Sequence, residues 1–255
     1  MVCGADRSGG VVSDPVLSSR FRRGVLIARP EPGLSETVRA VQALGWIPFA
    51  APALAISPGT VPRQSGIVAA LVTSSQAIPA LIDAVDMHVP VFAVGDATAK
   101  RVREAGFRSV ESAGGDARKL AELVRTRLVP SATPVVLLSG SRQGLELAAA
   151  LRQAGFKVRR WIAYTASAVR TLPVDVLRAL EADEIGVVLA YSARSGAATT
   201  AAIRAGGYSC DQIRGVAISE NAARALGKNG IVSVVTATHP DAESVLDALG
   251  PAPRD

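Results

Sequence analysis

Clusters of hydroxyl- and glycine-bearing residues follow short apolar runs at four places in this 255-residue chain. Thr73, Ser74 and Ser75 come after Ile67–Val72. Gly95 and Thr98 come after Val91–Val94. Ser192 and Ser195 come after the run ending at Tyr191, and Ser219 and Asn221 end and follow the run from Val216. If the runs are strands and helices follow them, each cluster sits where α/β proteins bind ligands. Side-chain hydroxyls and the free N–H groups of the next helix would then hold an anion, and glycine would let it approach the backbone. The competing reading of the same serines and threonines is simple helix capping. Arg29 ends the first apolar run and Arg142 follows Val135–Ser139. A guanidinium there would pair with a carboxylate; for Arg29 the alternative is a structural pair with a nearby acid. Asp96 reads as a helix cap rather than a base. With only His88, His239, Cys3 and Cys210 available, a multi-histidine or thiolate metal centre and a disulfide framework are excluded. Neither a G-x-G-x-x-G after a strand nor a G-x-x-x-x-G-K-[ST] loop occurs, which argues against a nucleotide-using enzyme.

The elements that must position these residues alternate along the chain. Strands are expected at Val25–Ala28, Ile67–Thr73, Val91–Val94, Val110–Ser112, Val135–Ser139, Val187–Tyr191, Val216–Ser219 and Val232–Thr236. Helices are expected at Ser35–Leu44, Ala77–Ala84, Ala97–Ala105, Ala117–Arg127, Leu145–Ala154, Ala197–Ala205, Asn221–Leu226 and Ala242–Leu249. The segment Trp46–Ile56 is extended, and Pro48 and Pro52 argue against a helix and against a central strand. Such alternation predicts parallel α/β sheets. The order repeats: the stretch from Val25 matches the one from Val136, and VGDATAKRVREAGF at Val94 matches ISENAARALGKNGI at Ile218. Two diverged units, roughly 24–129 and 134–250, mean paired domains rather than a solenoid. In each unit a long extended segment, 46–57 and 157–167, permits the chain to cross from one globule to the other. In that crossed arrangement the domains are 24–52 plus 168–250, and 58–158, with 53–57 and 159–167 between them.

Residues 1–23 are rich in Gly, Ser and Arg and are expected to be a disordered tail. They contain no apolar core of a secretory signal, so a cytoplasmic location is expected. No apolar run approaches the roughly 18 residues of a membrane span. The net charge is +6, of which the first 23 residues carry +2. Arginine supplies 24 of the 28 cations, and they are scattered rather than blocked. With 4% aromatics there is little for base stacking, so the charge favours an acidic small molecule over nucleic acid or a membrane surface.

The opening VLIARP, then LVTSSQAIPAL, VFAVGDATAKRVREAGF, GGDARKLAEL, WIAYTAS and GVAISENAARAL, in this order and spacing, resemble the uroporphyrinogen-III synthase family over about residues 24–250. The resemblance implies the crossed two-domain architecture: two similar parallel-sheet domains (flavodoxin-like or Rossmann-like) joined by a two-stranded linker, with a ligand cleft between them. It also implies a monomer with no metal or organic cofactor, in passing contact with the preceding pathway enzyme. The family's substrate is hydroxymethylbilane, a linear tetrapyrrole polycarboxylate. Its ring is closed with loss of water and inversion of the last pyrrole.

The resemblance places a tyrosine at Tyr164, where a phenol would donate a proton to the leaving hydroxyl or orient it. The alternative is a linker tyrosine packed with Trp161. Thr98 matches the family's threonine in its segment, and Arg29 its strand-end arginine. Ser219-Glu220-Asn221-Ala222 departs from the family's glycine–proline–threonine pattern, with Ser219 and Asn221 as partial substitutes. Gln76 stands where many relatives have a cation. The alternative function is a non-catalytic two-lobed binding protein for an anionic metabolite.

Overall fold

In the computed structural model, residues 22–253 are described. The apolar runs form parallel strands buried on both faces, as helices on each side of a sheet require. Strands β1 (Gly24–Ile27), β4 (Ala69–Val72) and β7 (Val135–Gly140) have no exposed or half-buried residue. Burial of each Leu, Val or Ile in them contributes about 1.5–3 kcal/mol. Successive residues serve opposite cores: Leu26 packs with Val188 and Ile203, while Val25 and Ile27 pack with Val41 and Leu189.

The remaining strands are β2 (Ile47–Ala50), β3 (Leu54–Pro58), β5 (Val91–Ala93), β6 (Val110–Ser112), β8 (Val158–Ala168), β9 (Ile185–Ala190), β10 (Arg214–Ala217) and β11 (Ser233–Thr236). One sheet has the order β11-β10-β9-β1-β2 and the other β3-β8-β7-β4-β5-β6. All pairs are parallel except β3 with β8, which run antiparallel from Leu54↔Ala168 to Pro58↔Tyr164. This pair is the two-stranded linker. The fold class is the expected one: two α/β sheets, each flanked by helices, with the chain crossing between them twice. Pro48 sits in β2 at a sheet edge, where a missing N–H costs no ladder bond.

The helices are α1 (Gly33–Ala43), α2 (Ile78–Ala84), α3 (Asp96–Glu104), α4 (Ala117–Arg127), α5 (Leu145–Gln153), α6 (Val174–Glu181), α7 (Ala193–Ala205), α8 (Glu220–Lys228) and α9 (Ala242–Leu249). The internal repeat is visible in how helices stop. Gly45 (φ +84°) ends α1, with Gly45 N–H bonded to Gln42 O and Trp46 N–H to Val41 O. Gly155 (φ +89°) ends α5 with the same pair of bonds, to Arg152 O and from Phe156 N–H to Leu151 O. Glycine adopts this left-handed conformation without strain.

Four expectations need amendment. Helix α6 lies in a stretch read as having no element; it is short, but Val176 and Ala179 are spaced to bury one face against the first sheet. Helix α7 begins four residues before the expected Ala197, because Ser192 caps it by accepting from Ser195 N–H at 3.0 Å. The expected tail lies outside the described residues except for Arg22 and Arg23, and these two are tied to the first sheet. Arg22 pairs with Asp183 at 2.5 Å and donates to Gln212 O, while Arg23 donates to Gly45 O and accepts from Ile47 N–H. Asp96, read as a cap, is instead the first residue of α3, and Gly95 holds the cap position.

Candidate functional site

A cavity of about 260 Å³ opens between the two sheets. Its walls are the carboxyl ends of the innermost strands: the turns after β1 and β9 from one sheet, those after β4 and β7 from the other, and the middle of β8. Of the residues singled out from sequence, Arg29, Ser74, Ser75, Arg142, Tyr164, Ser192 and Ser195 line it. Thr73, Gly95, Thr98, Ser219 and Asn221 do not. Gly95 and Thr98 follow β5, and Ser219 and Asn221 follow β10, each one strand farther out in its sheet. Thr98 is buried within α3. Ser219 caps α8 through Ala222 N–H, and Asn221 accepts from the Arg224 side chain. Thr73 is next to the cavity lining, and its hydroxyl is buried without a partner.

Tyr164 is 4% exposed although it lies on the long, otherwise accessible strand β8. The register explains this. Ser139 pairs with Ile162 and Gly140 with Tyr164, so β8 carries one extra residue at that point. Such a bulge re-aims a side chain, and Ala163 and Tyr164 are consequently both buried. Gly140 makes room for the ring, since a Cβ there would lie 2.9 Å from Tyr164 Cζ. The phenol donates to Gln143 Oε1 at 2.7 Å. Burial raises the Tyr164 pKa, opposed by the nearby Ser74 hydroxyl and the Arg194 charge. The group therefore stays a proton donor at neutral pH.

Gln143 is held by a rigid turn. Arg160 donates to the carbonyls of Gly140, Ser141 and Gln143 at 2.7–3.1 Å, and Ser139 Oγ also donates to Gln143 O. Sequence reasoning passed over Gly140, Gln143 and Arg160. The only available signal was Gly140 and Gly144 bracketing a polar tripeptide after a buried strand.

Across the cavity, Arg29 has no carboxylate partner among its hydrogen bonds. Its Nη1 donates to Thr37 Oγ1 at 3.2 Å, and its guanidinium lies 4.1 Å from the centre of the Tyr191 ring. The structural pair with an acid is instead Arg101–Glu36, at 2.7 Å, linking α3 to α1. Burial pulls the Arg29 pKa below the usual arginine value, yet arginine remains charged. Burial raises the Tyr191 pKa, opposed by Thr37 and the Arg29 charge beside its hydroxyl, which makes no well-oriented hydrogen bond. The result is a fixed cation with unused donors facing the cavity.

Gly33 is what lets Arg29 lie there, since a Cβ at Gly33 would be 2.2 Å from Arg29 Cζ. The clash is with the tip of a flexible side chain, so Gly33→Ala should barely move the melting temperature. It should displace the guanidinium and raise KM about tenfold, the loss of one charge-assisted hydrogen bond. Initial rates and a thermal melt of the variant check both parts.

Besides Arg101–Glu36, two contacts bring the two sheets together: Gln76 Nε2 to Glu31 O, and the Arg194 guanidinium to Ala166 O. No cluster of three or more His, Cys, Asp or Glu occurs among the described residues, and none of the described helices is long and apolar enough to cross a membrane. Cys210 is buried, which raises its pKa and keeps it a thiol.

No curated protein matches the chain. Among solved structures it is similar to uroporphyrinogen-III synthetase from Helicobacter pylori, with a TM-score of 0.62 and 15% identity, over 89% of this chain and 98% of that one. It is also similar to a mutant uroporphyrinogen III synthase from the extremely thermophilic bacterium Thermus thermophilus, with a TM-score of 0.51 and 19% identity, over 89% and 95% of the two chains. At these identities the likeness establishes the fold. Membership rests on the sequence itself: the family model for uroporphyrinogen-III synthase HemD matches residues 35–247, which contain every strand but β1, and this chain belongs to that family.

Proposed function

We propose that the chain closes hydroxymethylbilane to uroporphyrinogen III in the cleft between its two sheets, with Tyr164 as proton donor and Arg29 as the principal carboxylate anchor. The observation that carries this reading is the convergence, in one cavity, of a buried phenol and a fixed, incompletely bonded guanidinium. The bilane's hydroxyl leaves as water when its C–O bond breaks and the Tyr164 proton passes to the departing oxygen. The electrophilic carbon so formed is attacked by the substituted carbon of the last pyrrole. The spiro-pyrrolenine then breaks the bond from that carbon to the methylene of the third pyrrole, the unsubstituted carbon of the inverted ring bonds to that methylene, and the proton it loses restores the Tyr164 phenol.

The bilane closes without help, but uninverted. The protein's work is therefore placement, which contributes up to about 7–11 kcal/mol in favourable geometries. Arg29 and Arg142, with the hydroxyls of Ser74, Ser75, Ser192 and Ser195, would fix the substrate's acidic side chains. Thr73, next to the cavity lining, and Gly95, Ser219 and Asn221, at strand ends farther out, would reach the substrate only at the cavity's outer margin, while the buried Thr98 would act through the turn that carries Gly95.

A cavity of about 260 Å³ is smaller than the roughly 300–1,000 Å³ pockets that bury drug-sized ligands. Four pyrroles therefore require the sheets to spread. A single ion pair with one solvent-exposed partner, such as Arg101–Glu36, is worth about 1 kcal/mol, and so opposes that opening only weakly. The enzyme is proposed to act as a cytoplasmic monomer without a metal or organic cofactor, binding neither nucleic acid nor membrane. It would receive its unstable substrate through passing contact with the enzyme that makes it.

The test supplies hydroxymethylbilane and resolves the porphyrin isomers after oxidation. The inverted isomer should form faster than spontaneous closure. Only the uninverted isomer, at the uncatalysed rate, would end the proposal.

A further inference from the structure

A phenol has one proton, and in this structure that proton is already committed. Tyr164 donates it to Gln143 Oε1 at 2.7 Å. The leaving oxygen of a substrate needs the same proton, so Gln143 and the substrate compete for it. The surroundings restrict how the conflict is resolved. The Gln143 backbone cannot retreat easily, because its carbonyl accepts from Ser139 Oγ and twice from Arg160, which also holds the carbonyls of Gly140 and Ser141. The Tyr164 ring cannot retreat either, being lodged over Gly140. The Gln143 side chain, by contrast, is exposed and free to rotate about its terminal bond. A half-turn of the amide puts Nε2 where Oε1 was, and the two orientations occupy the same space.

We infer that Gln143 is a positioning residue that sets the direction of the Tyr164 proton. In the empty cleft its Oε1 accepts that proton. When substrate is bound, the amide turns and Nε2 donates to the phenol oxygen, which frees the phenol proton for the leaving hydroxyl. The amide N–H then stabilises the phenolate that develops as the proton departs, offsetting the burial that otherwise makes this tyrosine a weak acid. Ser74 and the Arg194 charge favour the same ionised form. The inference rests on Tyr164 as the proton donor.

The test measures kcat and KM for Gln143→Leu and Gln143→Glu, each in the wild-type and Tyr164→Phe backgrounds. Leu removes both faces of the amide. Its kcat should fall about tenfold, the loss expected for one hydrogen bond to a charged group, with KM within about twofold of wild type. Glu keeps the acceptor and removes the donor, so its kcat should fall at least as far. In the Tyr164→Phe background, Gln143→Leu should have no further effect, because the group it acts through is gone. A purely structural role for Gln143 would carry its full cost into that background.

Wild-type kcat in Gln143→Leu, wild-type kcat in Gln143→Glu, or additive losses in the double variant would each overturn the inference while leaving Tyr164 in place. Full turnover by Tyr164→Phe alone would overturn the proton-donor reading and the inference with it. The exposed position of Gln143 keeps all these variants foldable, which a thermal melt confirms.

Discussion

Tyr164→Phe should lower kcat by about 10²-fold, the lower end of what a positioned acid contributes. The substitution removes one oxygen from a ring whose packing over Gly140 is otherwise unchanged. The stability cost should therefore be that of one hydrogen bond, about 0.5–1.5 kcal/mol, from the loss of the bond to Gln143. KM should change little, since on the proposed reading the phenol contributes a proton rather than a grip on the carboxylates. As the enzymatic rate falls, spontaneous closure competes, and the share of uninverted isomer should rise with it. Stopped assays that resolve the two isomers report both quantities from one sample. The pH dependence has a definite sign. Burial raises the Tyr164 pKa above the ordinary value of 10.0, so the donor form persists through neutral pH. No loss of kcat/KM, which reports the free enzyme, should be attributable to Tyr164 until the solution is more alkaline than a free tyrosine would require. Wild-type turnover by the variant would show that departure of the hydroxyl needs no acid from the protein.

Arg29→Gln should act on the other kinetic constant. The guanidinium is held by Thr37 and by the face of Tyr191, and neither contact uses its full set of donors. On the proposed reading, a carboxylate of the substrate would complete it. Charge-assisted bonds of this kind are worth about 1.5–3 kcal/mol, so KM should rise about 10- to 100-fold with a smaller change in kcat. Arg29→Lys should recover only part of the loss, because an ammonium keeps the charge but neither the planar fork nor the ring stacking. Arg39→Gln, farther along α1 and exposed, serves as the control and should leave KM alone. An unchanged KM in Arg29→Gln would assign this arginine a structural role, holding the start of α1 against the end of β9.

The alternation of apolar runs and amphipathic stretches carried most of the fold, because strands buried on both faces, such as Val25–Ile27 and Val135–Leu138, leave little ambiguity in sequence. The crossing of the chain was legible as a possibility only. Two prolines and a long extended run say that 46–57 is not a helix, but pairing between Leu54 and Ala168 is a property of distant residues. Within the site, hydroxyls at strand ends were readable as a type of place rather than as places. Ser74 and Ser192 reach the cavity, while Thr98 and Ser219 do not, because sheet order decides which strand ends are central and sheet order is not local. Gln143 was invisible for a related reason. Its importance comes from a bulge that turns Tyr164 inward, and a one-residue register slip leaves no pattern in the letters. Arg29 was found, but its partners were not: an acid was the expected structural alternative, and a threonine one turn into α1 and an aromatic face from β9's end do the holding.

The position of β1 has a consequence for how the molecule comes into being. Its two neighbours are β2, which follows almost at once, and β9, whose first pairing residue is Ile185. The whole of the other sheet, Leu54 to Ala168, is an uninterrupted stretch lying between them. During synthesis from the amino end, that stretch can close on itself while β1 still waits for half of its ladder. The last turns of the chain then complete the first helix's surroundings, as Trp46 Nε1 donates to Gly250 O and Ala252 N–H to Leu44 O. A nascent chain thus carries an entirely apolar strand with an open edge until β9 has been made, the interval in which such edges invite wrong partners. The half of the molecule that begins first is assembled last.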